Sequence, residues 1–150
     1  ASRGFVAGRL CLEPRKGPKM GLDMYLEGRR FLRTNWENPE ANLKRGKYRV
    51  KEETLELAYW RKHPNLHGFI VQTFADGVDE CQEINLSADN LQTIIDAIHA
   101  DALPTTEGFF FGSSDGTEKD SDLDAFKGAL EWLNEPEEGV WRDVVYQASW

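Results

Sequence analysis

The apolar residues of this chain change period along its length, and that change constrains the fold more than any other feature. Leu22, Met24 and Leu26 alternate with Asp23, Tyr25 and Glu27, the pattern of a strand with one face buried. Leu66, Phe69, Ile70 and Phe74 recur at helical spacing instead, as do Leu91, Ile94, Ile95 and Ile98, and then Leu123, Phe126, Leu130 and Leu133. Local signals punctuate these segments. Pro64 suits the first position of a helix and pushes His63 out of the helical region. Ser87 can cap the second helix, Asp120 or Ser121 the third, and Pro136 stops the third.

Between them, Asn35 to Gly46 reads as a loop, Cys81 to Leu86 as a short strand, and Val140 to Trp150 as a last strand. Tyr48 to Trp60 is ambiguous: Leu55 to Trp60 favours a strand, whereas Glu52 to Ala58 also suits a helix. There is no βαβ period and no internal repeat. The pattern predicts a single α+β domain over residues 20–150, a mainly antiparallel sheet with about three helices packed on it. Residues 1–19 read as a basic N-terminal arm or a non-native extension.

Charge narrows the function classes. Residues 1–62 hold fifteen Lys/Arg against eight Asp/Glu, and residues 63–150 hold three against eighteen, within a net charge of −8. A generally basic nucleic-acid binder is excluded, so direct nucleic-acid binding is not expected. No apolar run reaches the roughly 18 residues of a membrane span. The two cysteines, Cys11 and Cys81, make no disulfide framework, and reduced thiols in a cytoplasm are expected.

Several residue groups could carry chemistry. Trp60, Arg61, Lys62 and Asn65 flank the start of the first helix, where cations and backbone N–H groups could hold an anion. His63 and His67 stand four apart, but the cap position of His63 argues against a shared metal, so both are expected to be ordinary cap or surface histidines. Cys81 follows Asp76, Asp79 and Glu80, whose charges disfavour a thiolate; it is expected to be a small buried strand residue. Gly108 to Ser114, with Phe109, Phe110 and Phe111 between glycines, could floor a pocket rimmed by Ser113 and Ser114. Asp120, Asp122 and Asp124 lie where acids stabilise a helix dipole, and the loop lacks the pattern of an EF-hand.

The segments Met20-Gly21-Leu22-Asp23-Met24-Tyr25-Leu26, Tyr59-Trp60-Arg61-Lys62 with Asn65 and His67, Asp76-Gly77-Val78-Asp79 with Cys81, and Leu103-Pro104-Thr105 with Gly108-Phe109-Phe110-Phe111-Gly112-Ser113 follow one another in that order. In this the chain resembles a family of small, uncharacterised proteins common in tailed-phage genomes, over Met20 to about Leu133. The resemblance implies a phage origin and no particular activity. The chain departs from the family pattern at residues 1–19, after Ser113, and from Pro136 onward.

Together these readings predict an accessory protein of the host cytoplasm or the virion. It would bind a host or virion protein through its acidic surface, without cofactor or metal, and self-associate through the N-terminal arm. The alternative is a small-molecule site, nucleotide-binding or hydrolytic, built from Trp60, Arg61, Asn65, His67, Asp79, Cys81, Phe109 to Phe111 and Ser113.

Overall fold

A computed structural model describes residues 21–106 and 114–150. Strand β1, Asp23–Leu32, runs through the middle of a four-stranded antiparallel sheet. It is flanked by β4, Glu52–Arg61, and β6, Val140–Ser149, with the short β5, Ile84–Asn85, on the far side of β6. A small hairpin of β2, Lys44–Arg45, and β3, Tyr48–Arg49, turns at Gly46 before β4. Helices α1, Pro64–Phe74, α2, Ala88–His99, and α3, Lys119–Asn134, complete the fold. The α+β architecture with an antiparallel sheet and three helices is therefore as the periodicity predicts. No helix among the described residues is long and apolar enough to cross a membrane.

The strand alternation explains the layering. Leu22, Met24 and Leu26 are fully buried, and across the ladder Leu26 faces Tyr146 while Met24 faces Ala148. Those side chains share one core with Leu66 and Ile70 of α1, Leu91, Ile94, Ile95 and Ile98 of α2, and Leu123 and Phe126 of α3. Ser87 caps α2 as the sequence suggests, accepting from the Asn90 N–H while Asn90 Oδ1 accepts from the Ser87 N–H. The charge division crosses one sheet. Arg29 makes a forked pair with Asp143, and Arg30 bonds Glu137, so basic and acidic halves neutralise each other along β1 and β6.

The strand favoured at Leu55 to Trp60 is present and extends over Glu52 to Arg61, because its residues pair with β1 along nearly its whole length; local helix propensity loses to the ladder. Three readings are corrected. The segment read as loop includes a 3-10 turn, Pro39–Ala41, and the first strand of the hairpin. Cys81 lies outside β5, at a positive φ of 61°, and is disulfide-bonded, so it is neither a strand residue nor a reduced thiol. The other cysteine of the sequence, Cys11, lies outside the described residues. Finally α3 begins at Lys119 after Glu118, with no side-chain cap from Asp120 or Ser121.

Two helical glycines separate packing from propensity. A Cβ on Gly68 of α1 would lie 2.0 Å from Thr106 Oγ1 and 2.8 Å from its Cβ, whereas one on Gly128 of α3 would meet nothing within 4 Å. Ala is favoured over Gly in a helix by about 1 kcal/mol, but overpacking costs about 1–3 kcal/mol. Urea unfolding should therefore show Gly128→Ala stabilising by roughly 0.5–1 kcal/mol and Gly68→Ala destabilising despite the better helix former.

Candidate functional site

Helix α1 carries two buried histidines one turn apart, His63 at its N-cap and His67 within it, 4% and 1% exposed. His63 is the cap residue expected, although buried, whereas His67 is neither a cap nor a surface residue, contrary to expectation. Each imidazole joins a carboxylate to a hydroxyl. His63 Nε2 lies 2.7 Å from Asp122 Oδ2, and His63 Nδ1 lies 2.7 Å from Ser114 Oγ. His67 Nε2 lies 3.0 Å from Asp79 Oδ2, and its Nδ1 lies 2.5 Å from the Tyr146 hydroxyl.

The donors around Asp122 orient the first chain. The Trp60 indole can only donate, and its Nε1 does so to Asp122 Oδ1 at 2.8 Å. The other carboxylate oxygen then accepts from His63 Nε2–H, and the tautomer with that proton on Nε2 alone presents Nδ1 as an acceptor. Ser114 donates to Nδ1 while its oxygen accepts the Asn65 backbone N–H at 3.1 Å. Asn65 in turn accepts the Thr106 N–H through Oδ1 at 3.0 Å. The segment carrying Ser114 is itself held in shape. Glu118 accepts from the Gly116 N–H at 3.0 Å, and Asp115 accepts both the Thr117 N–H and hydroxyl. Those two Thr117 donors hold the Asp115 carboxyl below its ordinary range.

This chain opens to solvent. A pocket of about 160 Å³ is lined by His63, Asn65 and Ser114, with Ile98 and Leu103 on one wall. A Lys119–Asp101 ion pair, 3.1 Å, stands among its lining residues. At about 30 Å³ per water, the space suits a small ligand or the end of a longer one. The His67 chain is closed: His67, Asp79 and Tyr146 are all at most 3% exposed, and Trp150 sits edge-on to the imidazole at 5.8 Å.

The residues expected to form one site thus divide. Asn65 lines the His63 pocket and Trp60 bonds the Asp122 behind it, while His67 meets Asp79 in the closed chain. Arg61 belongs to neither; it pairs with Asp23 at 2.9 Å, beside Tyr59, which donates to the same carboxylate. Cys81 contributes its carbonyl to Gln147 Nε2 at 2.8 Å. Phe109, Phe110, Phe111 and Ser113 lie outside the described residues. The sequence reading weighed His63 as a cap and Asp122 as a helix-dipole acid without placing either in a site, and it gave Tyr146 no role beyond the last strand. Asp122 is only 1% exposed and serves as a hydrogen-bond acceptor from Trp60 and His63, a different task from stabilising a helix dipole. The available signal was its position one residue before Leu123, on the edge of the buried stripe of α3.

Burial, then the Asp79 charge, raises the Tyr146 phenol well above its ordinary value near 10. An unfolded chain releases that proton at about pH 10 while the folded chain keeps it. Stability should therefore fall as pH rises above about 10 and continue falling toward the folded value. In Tyr146→Phe this component of the slope should vanish, with a loss of about 1–3 kcal/mol at neutral pH from the buried Tyr146–His67 hydrogen bond it removes. Urea unfolding at pH 7 and above pH 10 measures both.

Comparisons with protein-family models, curated proteins and solved structures return no significant match.

Proposed function

We propose that the His63 pocket is a hydrolytic acyl-transfer site for a small substrate, with Ser114 as nucleophile, His63 as general base and Asp122 as the group that orients it. The observation that carries this reading is the polarity of the chain: hydroxyl to imidazole at 2.7 Å and imidazole to carboxylate at 2.7 Å, with the hydroxyl in an open pocket. Serine oxygen would attack a carbonyl carbon as its proton passes to His63 Nδ1. The same nitrogen would return the proton to the leaving group, and water would then release the acyl group from serine by the reverse sequence. Asp122 would stabilise the imidazolium formed at each stage. The Ser114 side of the imidazole is Nδ1, so the arrangement is defined by role and not by ring position.

A fluorophosphonate probe tests it directly. Intact-mass and peptide mapping should place one adduct on Ser114, abolished in Ser114→Ala and strongly reduced in His63→Ala. Hydrolysis of a short p-nitrophenyl ester should fall in Asp122→Asn by at least a hundredfold, since removing a general base's partner costs 10²–10⁴. An adduct elsewhere, or ester turnover unchanged in Ser114→Ala, would sink the assignment.

A second reading rests on the outer faces of α2 and α3, which pack together. Asp89, Asp96, Asp120, Asp124 and Glu131 are exposed there, and none pairs with a described cation. This supports docking of a basic host or virion protein, in keeping with the resemblance to phage proteins. Retention on an immobilised polyarginine peptide should weaken steeply between 50 mM and 1 M salt. It should weaken further when Asp120, Asp124 and Glu131 become amides; equal retention of that variant would remove the helices as the binding face.

A further inference from the structure

The sheet end remote from the His63 pocket has the opposite character. Between β1 and β4, residues 33–51 hold Arg33, Lys44, Arg45, Lys47, Arg49 and Lys51 against Glu37 and Glu40. Three of these cations, Arg33, Arg49 and Lys51, line a groove of about 560 Å³ together with Phe31 and Trp141. The two rings lie 5.4 Å apart, tilted by 34°, and the Arg29 guanidinium sits 5.7 Å from the Phe31 ring centre. Trp141 is 69% exposed, on the stretch of β6 that pairs with β1 and lies beyond the short β5. Nearby in sequence, Trp36 and Tyr48 are 82% and 69% exposed.

The Phe31–Trp141 contact is a cross-strand pair of the β1–β6 ladder, but folding accounts for neither the exposed indole face nor the cations beside it. Among the described residues, Arg33, Arg49 and Lys51 have no ion-pair partner, while Glu137, two residues before Gly139 of the groove, is already held by Arg30 and Arg142. The frame is nonetheless ordered. The Leu32 N–H bonds the Lys51 carbonyl at 2.9 Å, the Arg33 N–H bonds the Gly139 carbonyl at 2.9 Å, and the Val50 N–H bonds the Leu43 carbonyl at 2.8 Å. Asn42 and Asn35 accept backbone N–H groups within the loop that presents Trp36.

From this juxtaposition of unpaired cations with accessible aromatic rings on a fixed frame, we infer that the groove binds single-stranded nucleic acid. The cations would follow the phosphates, and unpaired bases would stack on the rings of Phe31 and Trp141. A duplex hides its base faces and would leave those rings unused, and an acidic peptide would satisfy the charges without stacking. The net charge of −8 does not oppose this, because at physiological salt charges beyond about 8 Å are largely screened, and the cations of the groove set the field within it. The groove and the His63 pocket lie toward opposite ends of β1. Trp60 pairs with Met24 at one end, and Phe31 and Leu32 line the groove at the other, roughly 25 Å away at about 3.4 Å per residue. The inference therefore stands apart from the hydrolytic reading.

Fluorescence anisotropy of labelled dT12 and U12 with the full chain tests it. Binding of either oligomer at 50 mM salt is expected, with log K falling against log salt at a slope of about −2 for three neutralised phosphates. Arg49→Ala with Lys51→Ala should reduce that slope by about 1.4. Trp141→Ala, a change at an exposed position, should weaken binding roughly tenfold with little effect on the slope. Ser114→Ala should leave binding unchanged. Unlabelled duplex and polyglutamate of equal charge should compete at least tenfold less well than dT12 or U12. Equal competition by polyglutamate would assign the groove to acidic proteins, and equal competition by duplex would make it a general polyanion surface. Either result, an unaffected Trp141→Ala variant, or the absence of binding at 50 mM salt would overturn the inference.

Discussion

The carboxylate of Asp122 fixes the relation between α3 and the rest of the molecule at the site. Burying such a group is costly unless each oxygen is hydrogen-bonded, and removing a partner of a buried charge destabilises by about 3–5 kcal/mol. Asp122 meets the requirement by accepting from Trp60 at the end of β4 and from His63 at the start of α1. One side chain thereby ties strand, helix N-cap and α3 together. Trp60 is also stacked on Phe126, one turn further along α3, with ring centres 5.4 Å apart. The apolar contact and the polar one reinforce the same alignment, so the hydroxyl–imidazole–carboxylate chain rests on packed elements and not on loops alone.

The closed chain on the same helix clarifies the open one. His67 is flanked by Asp79 and Tyr146 in a similar sequence of groups, yet Trp150 and the strand β6 cover it. A hydroxyl with no access to solvent can satisfy a buried imidazole but cannot meet a substrate. Similar hydrogen bonding is therefore sealed in the core at His67 and borders a pocket at His63, and burial of the hydroxyl makes the difference.

Charge is partitioned in space differently from its partition along the chain. Where β1 and β6 lie side by side, opposite charges meet, as at Arg29 and Asp143, which are 114 residues apart in sequence. Charges that find no such partner remain on two surfaces, acids on the outer faces of α2 and α3 and cations on the hairpin end of the sheet. An average over the whole chain conceals the second of these.

Periodicity, capping residues and prolines made β1, the three helices and β6 legible, because those signals depend on neighbours within a few residues. The ambiguity at Glu52 to Arg61 was of another kind, since only pairing with β1 decides between strand and helix there. The candidate site was half legible. Trp60, Asn65, His67 and Asp79 stood out as residue types, but their grouping required contacts across 62 residues for Trp60 with Asp122 and 51 for His63 with Ser114. The sequence by itself determined the elements and the supply of imidazoles, hydroxyls and carboxylates. Only the tertiary structure decided which of these meet, which are sealed from water and which cations stay unpaired, because long-range packing sets desolvation and hydrogen-bond geometry.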